Sequence, residues 1–256
     1  RSGGMMPFKL GERIVDVLGD EEIIQGVVSC GTGHVANRDA ALTWNDYWIT
    51  TGLSPAQLEA KGIHVGAAAL PAREGRGPLV FGDEDDPLVA AWTFDDRVGV
   101  LTLLRLLEHL HDRKPHWNHP VVFAFTVHEE GGAHGAKGLA HREHPEIFLA
   151  IDGCPLTQGT NLKLDHRPAV WIKDAKANYD QRLILDLVRA GRASNISLQR
   201  VVLENAWSDA SAVYDTGGAP SVAIVGHVRD NSHGFEVMRL GAFDPLLELL
   251  KNYLSA

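Results

Sequence analysis

From residue 88 to the carboxyl terminus, apolar runs typical of buried strands alternate with amphipathic helical patterns. The helix predicted after Phe94 extends to about His111 and repeats apolar residues every three or four positions. The predicted strands span residues 88–94, 121–127, 146–151, 196–203 and 220–225. Alternation of this kind predicts the α/β class, here a three-layer sandwich with a mostly parallel sheet.

Residues 1–86 follow a different pattern, which predicts a small β-rich satellite domain. Their strand-like runs are short and are interrupted by Gly, Pro and Asn. One short helix is indicated by Ser54, a favoured N-cap residue, and by Pro55 at the first helical position. The acidic segment GDEDDP at 82–87 is the predicted boundary, so we expect domains at 1–86 and 87–256.

The composition disfavours several classes of partner. The chain has 33 acidic and 24 basic residues, a formal charge of −9. This balance disfavours nucleic acid and anionic membranes, because neutralising phosphates requires clustered Lys and Arg. No apolar run approaches the ~20 residues needed to span a bilayer. The two cysteines, Cys30 and Cys154, are too few for a disulfide framework and, without a visible signal peptide, favour a cytoplasmic protein.

The segment TVHEEGGAHGAKG at 126–138 has the features of a ligand site. It follows a predicted buried strand and begins with two adjacent acids, Glu129 and Glu130. Neighbouring carboxylates repel each other and are costly to desolvate, and a bound cation would offset that cost. Gly131 and Gly132 allow a sharp turn close to a ligand. The alternative for this segment alone is a solvated strand end followed by a turn.

Other acids and a histidine follow the ends of further predicted strands. In open α/β sheets, this edge is where ligands bind. Carboxylates and imidazole together suit Zn, Co or Mn, and a single carboxylate can bridge two cations about 3.5–4 Å apart. The residues expected at this edge are Asp95, Asp96, Glu129, Glu130, Asp152 and His233.

Five motifs, in this order, resemble the glutamyl (deblocking) aminopeptidase family of two-metal metallopeptidases, some of which are named endoglucanases. They are FDDRVG at 94–99, HEEGGAHGA at 128–136, IDGCP at 151–155, SDASAVYDTGGAPSVAI at 208–224 and NSHGFE at 231–236. The resemblance extends over residues 22–256. It implies a zinc-peptidase-like catalytic domain with a small β-rich insert that mediates homo-oligomerisation.

The resemblance also implies a set of metal ligands. Asp95 would bridge two divalent ions, zinc or cobalt, and Asp96 would support it across a cis peptide bond. Glu130 and His233 would complete one metal site. Asp152 would belong to the second site.

The remaining implied roles concern the reaction. Glu129 would be the general base that accepts a proton from a metal-bridging water, with Asp96 beside it in the catalytic set. Asp209 and His128 would bind the substrate, although His128 stands where the family has a Gln-like residue. The implied substrate is a peptide with a free N-terminus, from which the N-terminal residue is hydrolysed.

One departure from the family leaves other functions open. The second metal site of the family also uses a histidine from a His-x-Asp stretch before the β-rich insert, and residues 1–256 contain no such stretch. We therefore expect a catalytic domain that is incomplete at its N-terminal side, with one bound metal as the alternative to two. The alternative functions are a weakly active or non-catalytic scaffold and a di-metal deacylase or amidohydrolase.

Overall fold

An antiparallel sheet with the strand order β3-β2-β1-β4 forms the smaller of two units. The computed structural model describes residues 6–32, 41–113 and 119–255. In the smaller unit, the side chains of Val15, Val17 and Val28 form a buried cluster. The elements are β1 (Ile14–Leu18), β2 (Ile23–Ser29), β3 (Trp48–Thr50), α1 (Pro55–Ala60) and β4 (Ala69–Pro71).

The predicted start of α1 is confirmed by its cap. The Ser54 hydroxyl accepts a hydrogen bond from the Gln57 N–H, and the Gln57 side chain accepts one from the Ser54 N–H. This reciprocal pair satisfies two amide groups that have no partner inside the helix.

The boundary between the two units lies between Pro78 and Leu79, not at residue 86 as predicted. The reason is a hairpin. The strand Leu79–Gly82 pairs antiparallel with Pro87–Trp92, which ties both strands to the larger unit. The acidic segment therefore forms the hairpin turn, where the Asp83 carboxylate accepts a hydrogen bond from the Asp85 N–H at 3.0 Å.

The larger unit has the predicted α/β architecture with mixed sheets. A four-stranded sheet has the order β10-β9-β11-β7, in which two pairings are parallel and one is antiparallel. A three-stranded antiparallel sheet has the order β13-β6-β5. The elements are β5 (Leu79–Gly82), β6 (Pro87–Trp92), α2 (Phe94–Arg113), α3 (His134–Glu143), β7 (Ile147–Ile151), β8 (Cys154–Pro155), β9 (Ala169–Lys173), α4 (Gln181–Ala193), β10 (Gln199–Val202), α5 (Asp209–Asp215), β11 (Ser221–Gly226), β12 (Val228–Arg229), β13 (Phe235–Arg239) and α6 (Phe243–Ser255).

The core of the larger unit lies between the four-stranded sheet and its helices. Leu183, Ile184 and Leu187 form the buried face of α4 and join the same cluster as Trp171 from β9. Their spacing of one and three positions places them on one side of the helix. Asp180 caps this helix by accepting a hydrogen bond from the Arg182 N–H at 2.8 Å.

The apolar run at 121–127 is not a strand, and this prediction was wrong. No strand of the described residues pairs with it. The side chains of Val122, Phe125 and Val127 are exposed. A run of apolar and β-branched residues has the propensity for a strand, but only ladder hydrogen bonds to a neighbour make one. The segment is anchored at its end, where the Val127 carbonyl accepts a hydrogen bond from the Gly135 N–H.

Among the described residues, no helix is both long enough and apolar enough to cross a lipid bilayer.

Candidate metal centre

Three segments of the larger unit bring a histidine and two carboxylates together. Asp95 lies at the start of α2, Glu130 in the turn before α3, and His233 in the loop between β12 and β13. The His233 Nε2 atom is 3.3 Å from Asp95 Oδ2 and 3.4 Å from Glu130 Oε1. One donor atom from each residue lies within 4.8 Å of the other two, which is close enough for all three to bind a single ion.

The chemistry of this donor set fits a borderline cation such as zinc or cobalt. Two carboxylates and one imidazole make three protein ligands, and catalytic zinc sites keep a fourth position for water or substrate. The side chain of Glu130 is 40% exposed, whereas that of Asp95 is 15% exposed. The group is therefore held from one side and open to solvent on the other.

Asp95 is held with its carboxylate ionised. Burial raises the pKa of this group, but the His233 hydrogen bond and the positive charge of Arg229 outweigh burial, so the pKa lies below its ordinary value. Its backbone N–H donates to Glu236 Oε2 at 2.8 Å. An ionised carboxylate in a fixed orientation is what a metal ligand requires.

Asp96 follows Asp95 across a cis peptide bond, as the resemblance implies. Its Oδ1 accepts a hydrogen bond from the Gly99 N–H at 3.0 Å, which starts the regular part of α2. A Cβ atom at position 99 would lie 2.0 Å from Asp96 Oδ2, so this close approach requires glycine. Burial, Asp152 and Asp95 raise the pKa of Asp96 well above its ordinary value.

Asp152 follows β7 and lies beside the group of three without joining it. Its Oδ2 accepts a hydrogen bond from the Ser208 hydroxyl at 2.5 Å, and its Oδ1 is 3.9 Å from Arg229 Nη1. Burial and the charge of Asp95 raise the pKa of Asp152 to about 7. Among the described residues, the three donors grouped closely enough to hold one ion are Asp95, Glu130 and His233, and no such group of three includes Asp152.

Arg229 is the residue of this centre that sequence reasoning missed. Its side chain is only 3% exposed, and Nη2 donates to Asp95 Oδ2 at 2.5 Å. Its Nε forms an ion pair with Glu236 Oε1 at 2.8 Å. A charge count gave the only available signal, since several acids at one site need a cation. That signal suggested a metal rather than an arginine.

Glu129 and Asp209 lie near each other, beside the three grouped donors. Burial is the main factor that raises the pKa of Glu129, to about 9. The negative charges of Asp152, Glu130 and Asp209 raise it further. The Oδ2 atom of Asp209 accepts a hydrogen bond from the Thr126 hydroxyl at 2.5 Å. The Oδ1 atom of Asp209 is buried and has no hydrogen-bond partner among the described residues.

His128 lies at the exposed end of this acidic segment. Its backbone is left-handed, with φ of 58°. Its ring centroid is 6.5 Å from that of His134, in an edge-to-face arrangement. The side chain is exposed and is not among the three grouped donors.

The acidic centre makes stability depend on pH when metal is removed. The pKa values of Glu129 and Asp152 are raised to about 9 and about 7, from ordinary values of 4.5 and 3.8. Between the ordinary and raised values, the folded chain holds protons that the unfolded chain has released, so stability falls as the pH rises. We expect chelator-treated protein to have a lower Tm at about pH 8.5 than at about pH 6, measured by differential scanning calorimetry. Added zinc should reduce the difference, and an equal or higher Tm at the higher pH would contradict this assignment.

Comparison with known proteins identifies the family. The chain belongs to the M42 glutamyl aminopeptidase family, whose model matches residues 2–249. This result confirms the resemblance drawn from the five sequence motifs. The glutamyl aminopeptidase of Lactococcus lactis subsp. cremoris is 28% identical over 148 residues, which are 52% of this chain and 38% of that protein. The matches to the curated relatives span between 38% and 46% of their lengths.

Solved structures agree on the fold. An aminopeptidase of the archaeon Desulfurococcus kamchatkensis is 26% identical, with a TM-score of 0.83 over 99% of this chain and 71% of that one. A TET1 peptidase of Pyrococcus horikoshii is 24% identical, with a TM-score of 0.84 over 99% of this chain and 74% of that one. At this identity the second likeness shows the fold alone. That peptidase is described as assembling into a tetrahedron or a large octahedral shell.

Proposed function

We propose that this chain carries the catalytic centre of a metal-dependent aminopeptidase, which hydrolyses residues from the N-terminus of peptides. The observation that carries the proposal is the grouping of Asp95, Glu130 and His233 within 4.8 Å, next to the carboxyl group of Glu129. Membership of the M42 glutamyl aminopeptidase family supports it.

Asp95, Glu130 and His233 would hold one zinc or cobalt ion. When bound, such an ion supplies a Lewis acid for the scissile carbonyl and lowers the pKa of water. Asp152 would belong to a second metal site, as the family resemblance implies. That second site would need donors beyond the group formed by the described residues.

Glu129 would act as the general base. Its neighbour in sequence, Glu130, is directed to the metal group, whereas Glu129 lies among Asp152 and Asp209. The pKa of about 9 belongs to the chain without metal, and a cation held by the neighbouring Glu130 would lower it and leave Glu129 ionised. Ionised Glu129 would then take a proton from water as the water oxygen attacks the peptide carbonyl carbon. The same carboxyl group then gives the proton to the leaving nitrogen as the C–N bond breaks.

Asp209 would bind the free amine of the substrate. The Thr126 hydroxyl holds one carboxylate oxygen, and the other is buried without a partner among the described residues. A buried acceptor of this kind lacks about 1–3 kcal/mol of hydrogen bonding, which a substrate ammonium group would restore. His128, whose side chain is exposed, would contact the substrate beyond the first residue.

The partner implied for the smaller unit is a second copy of the chain. Its sheet exposes large apolar side chains, among them Ile14, Ile23 and Trp48. Ile14 and Val27 are paired across β1 and β2 and are both exposed, so they lie on one face. An exposed apolar face of this kind is typical of an interface. The assembly of the Pyrococcus horikoshii TET1 peptidase supports a homo-oligomer.

The test uses the purified chain, stripped of metal and reloaded with zinc or cobalt. We expect chromogenic aminoacyl substrates with a free amine to be hydrolysed, and a chelator to stop the reaction. The matched control is the same substrate carrying an N-acetyl group, which should not be cleaved.

The other outcomes identify the alternatives. Cleavage of only the acetylated substrate would indicate a deacylase. Metal binding without turnover of either substrate would indicate a scaffold and would overturn the proposed activity of this chain.

A further inference from the structure

The side chain of Arg229 packs against Gly153, at a position where no larger residue would fit. It is the last residue of β12, which pairs in parallel with β8 and places Arg229 opposite Pro155. A Cβ atom at position 153 would lie 1.2 Å from Arg229 Nη1. The guanidinium group therefore lies directly against the backbone of Gly153, where any other side chain would displace it.

In this position the guanidinium group of Arg229 lies within 4 Å of three carboxylate groups. Nη2 donates to Asp95 Oδ2 at 2.5 Å, Nε is 2.8 Å from Glu236 Oε1, and Nη1 is 3.9 Å from Asp152 Oδ1. Nη2 also donates to the Ser232 hydroxyl at 3.2 Å. Arg229 is thus a fixed cation among the acids of the centre.

Glu236 provides the second contact with the same metal ligand. Its side chain is fully buried on β13, and one oxygen pairs with Arg229. The other oxygen accepts the Asp95 backbone N–H at 2.8 Å. Asp95 is therefore held at two points, its backbone by Glu236 and its carboxylate by Arg229.

The contact with Arg229 falls on the oxygen that faces the metal group. Asp95 Oδ2 accepts from the guanidinium and is also the atom 3.3 Å from His233 Nε2. Rotation of the carboxylate would break both contacts. Burying an arginine with two carboxylates is costly, and replacing such a network with apolar residues often stabilises a protein. Stability therefore does not explain the network of Arg229 with Asp95 and Glu236, whereas a role in orienting the Asp95 carboxylate does.

We propose that Arg229, supported by Glu236, is a positioning residue that fixes the carboxylate of Asp95 for metal binding. The inference rests on the proposed function, because it assumes that Asp95 is a metal ligand. Partners that orient a ligand in this way change metal affinity about 10- to 100-fold when they are removed.

The test compares cobalt binding by the wild type, Arg229→Ala and Arg229→Lys. We expect Arg229→Ala to weaken cobalt binding about 10- to 100-fold and to change the visible absorption of bound cobalt. Added guanidinium ion should restore both in Arg229→Ala. Arg229→Lys keeps the positive charge but loses the planar set of N–H donors, so its affinity for cobalt should be intermediate.

A matched control is Arg239→Ala. Arg239 pairs with Asp86 at 3.2 Å, on β13 but outside the metal group. We expect its affinity and absorption to equal those of the wild type, with no effect of guanidinium. The rescue separates positioning from a general loss of structure, which guanidinium would not reverse.

The outcomes separate the two proposals. A wild type that binds no cobalt, or binds it equally well after Asp95→Ala, would overturn the metal centre and this inference with it. Wild-type binding together with unchanged affinity and absorption in Arg229→Ala would overturn the positioning role alone. If Arg229→Ala does not fold, Arg229→Lys and Glu236→Gln decide, and wild-type affinity in both would overturn the role.

Discussion

Replacing Glu129 with glutamine should reduce peptide hydrolysis by about 10²- to 10⁴-fold while leaving metal binding close to that of the wild type. The amide keeps the size of the side chain but cannot accept a proton from water. Glu129 is not one of the three grouped donors, so their geometry should persist. The measurements are kcat on an aminoacyl substrate and metal content by elemental mass spectrometry.

The matched control for this variant is Glu143→Gln. Glu143 is the last residue of α3 and pairs with Arg142 at the surface. The variant therefore makes the same Glu-to-Gln change at a position outside the metal centre. Its kcat should equal that of the wild type. Retained turnover in Glu129→Gln would remove Glu129 from the role of base, and loss of metal would make it a ligand instead.

Replacing Asp95 with alanine should remove the metal and destabilise the larger unit by about 3–5 kcal/mol. The loss of metal follows because Asp95 is one of three donors. The loss of stability follows because the buried Arg229 loses its ion pair with Asp95 and keeps only Glu236 and the Ser232 hydroxyl as close partners. Metal content and urea unfolding measure the two effects. Far-UV circular dichroism reports on the larger unit, which contains α2 to α6.

Asp86→Ala is the control for the second prediction. Asp86 also pairs with an arginine, Arg239, but its side chain is 46% exposed. A solvated ion pair contributes about 0–1 kcal/mol, so a small change in stability and full metal content are expected. Equal losses of stability in Asp86→Ala and Asp95→Ala would contradict the buried network. Full metal content in Asp95→Ala would remove Asp95 from the ligand set.

Several predictions from sequence depended on local rules that tertiary contacts did not override. The cap at Ser54 depends on residues three apart in the chain, and it formed as expected. The alternation of apolar runs and helical patterns predicted the α/β class, because each element must bury one face against another. The motifs also named Asp95, Glu130 and His233, which the structure brings within 4.8 Å of each other.

The reason these donors meet differs from the one that the sequence suggested. Asp95 and Asp152 were expected at one sheet edge, but Asp95 follows β6 of the three-stranded sheet and Asp152 follows β7 of the four-stranded sheet. Glu130 follows a segment that is not a strand. His233 lies in the loop between β12 and β13, so one strand end and two loops build the group of three, and Asp152 lies beside it.

The sequence by itself determined the fold class, the family and the names of the acids and histidine of the centre, because periodicity, capping and motif spacing are local properties of the chain. The tertiary structure alone decided the partners of those residues. Arg229 packs against Gly153, which is 76 positions away in the chain (229 − 153), and no local sequence pattern predicts this contact. The pairing of 79–82 with 87–92, and the absence of a strand partner for 121–127 among the described residues, were likewise decided by contacts. Pairing and burial are relations between distant segments, and no single segment encodes them.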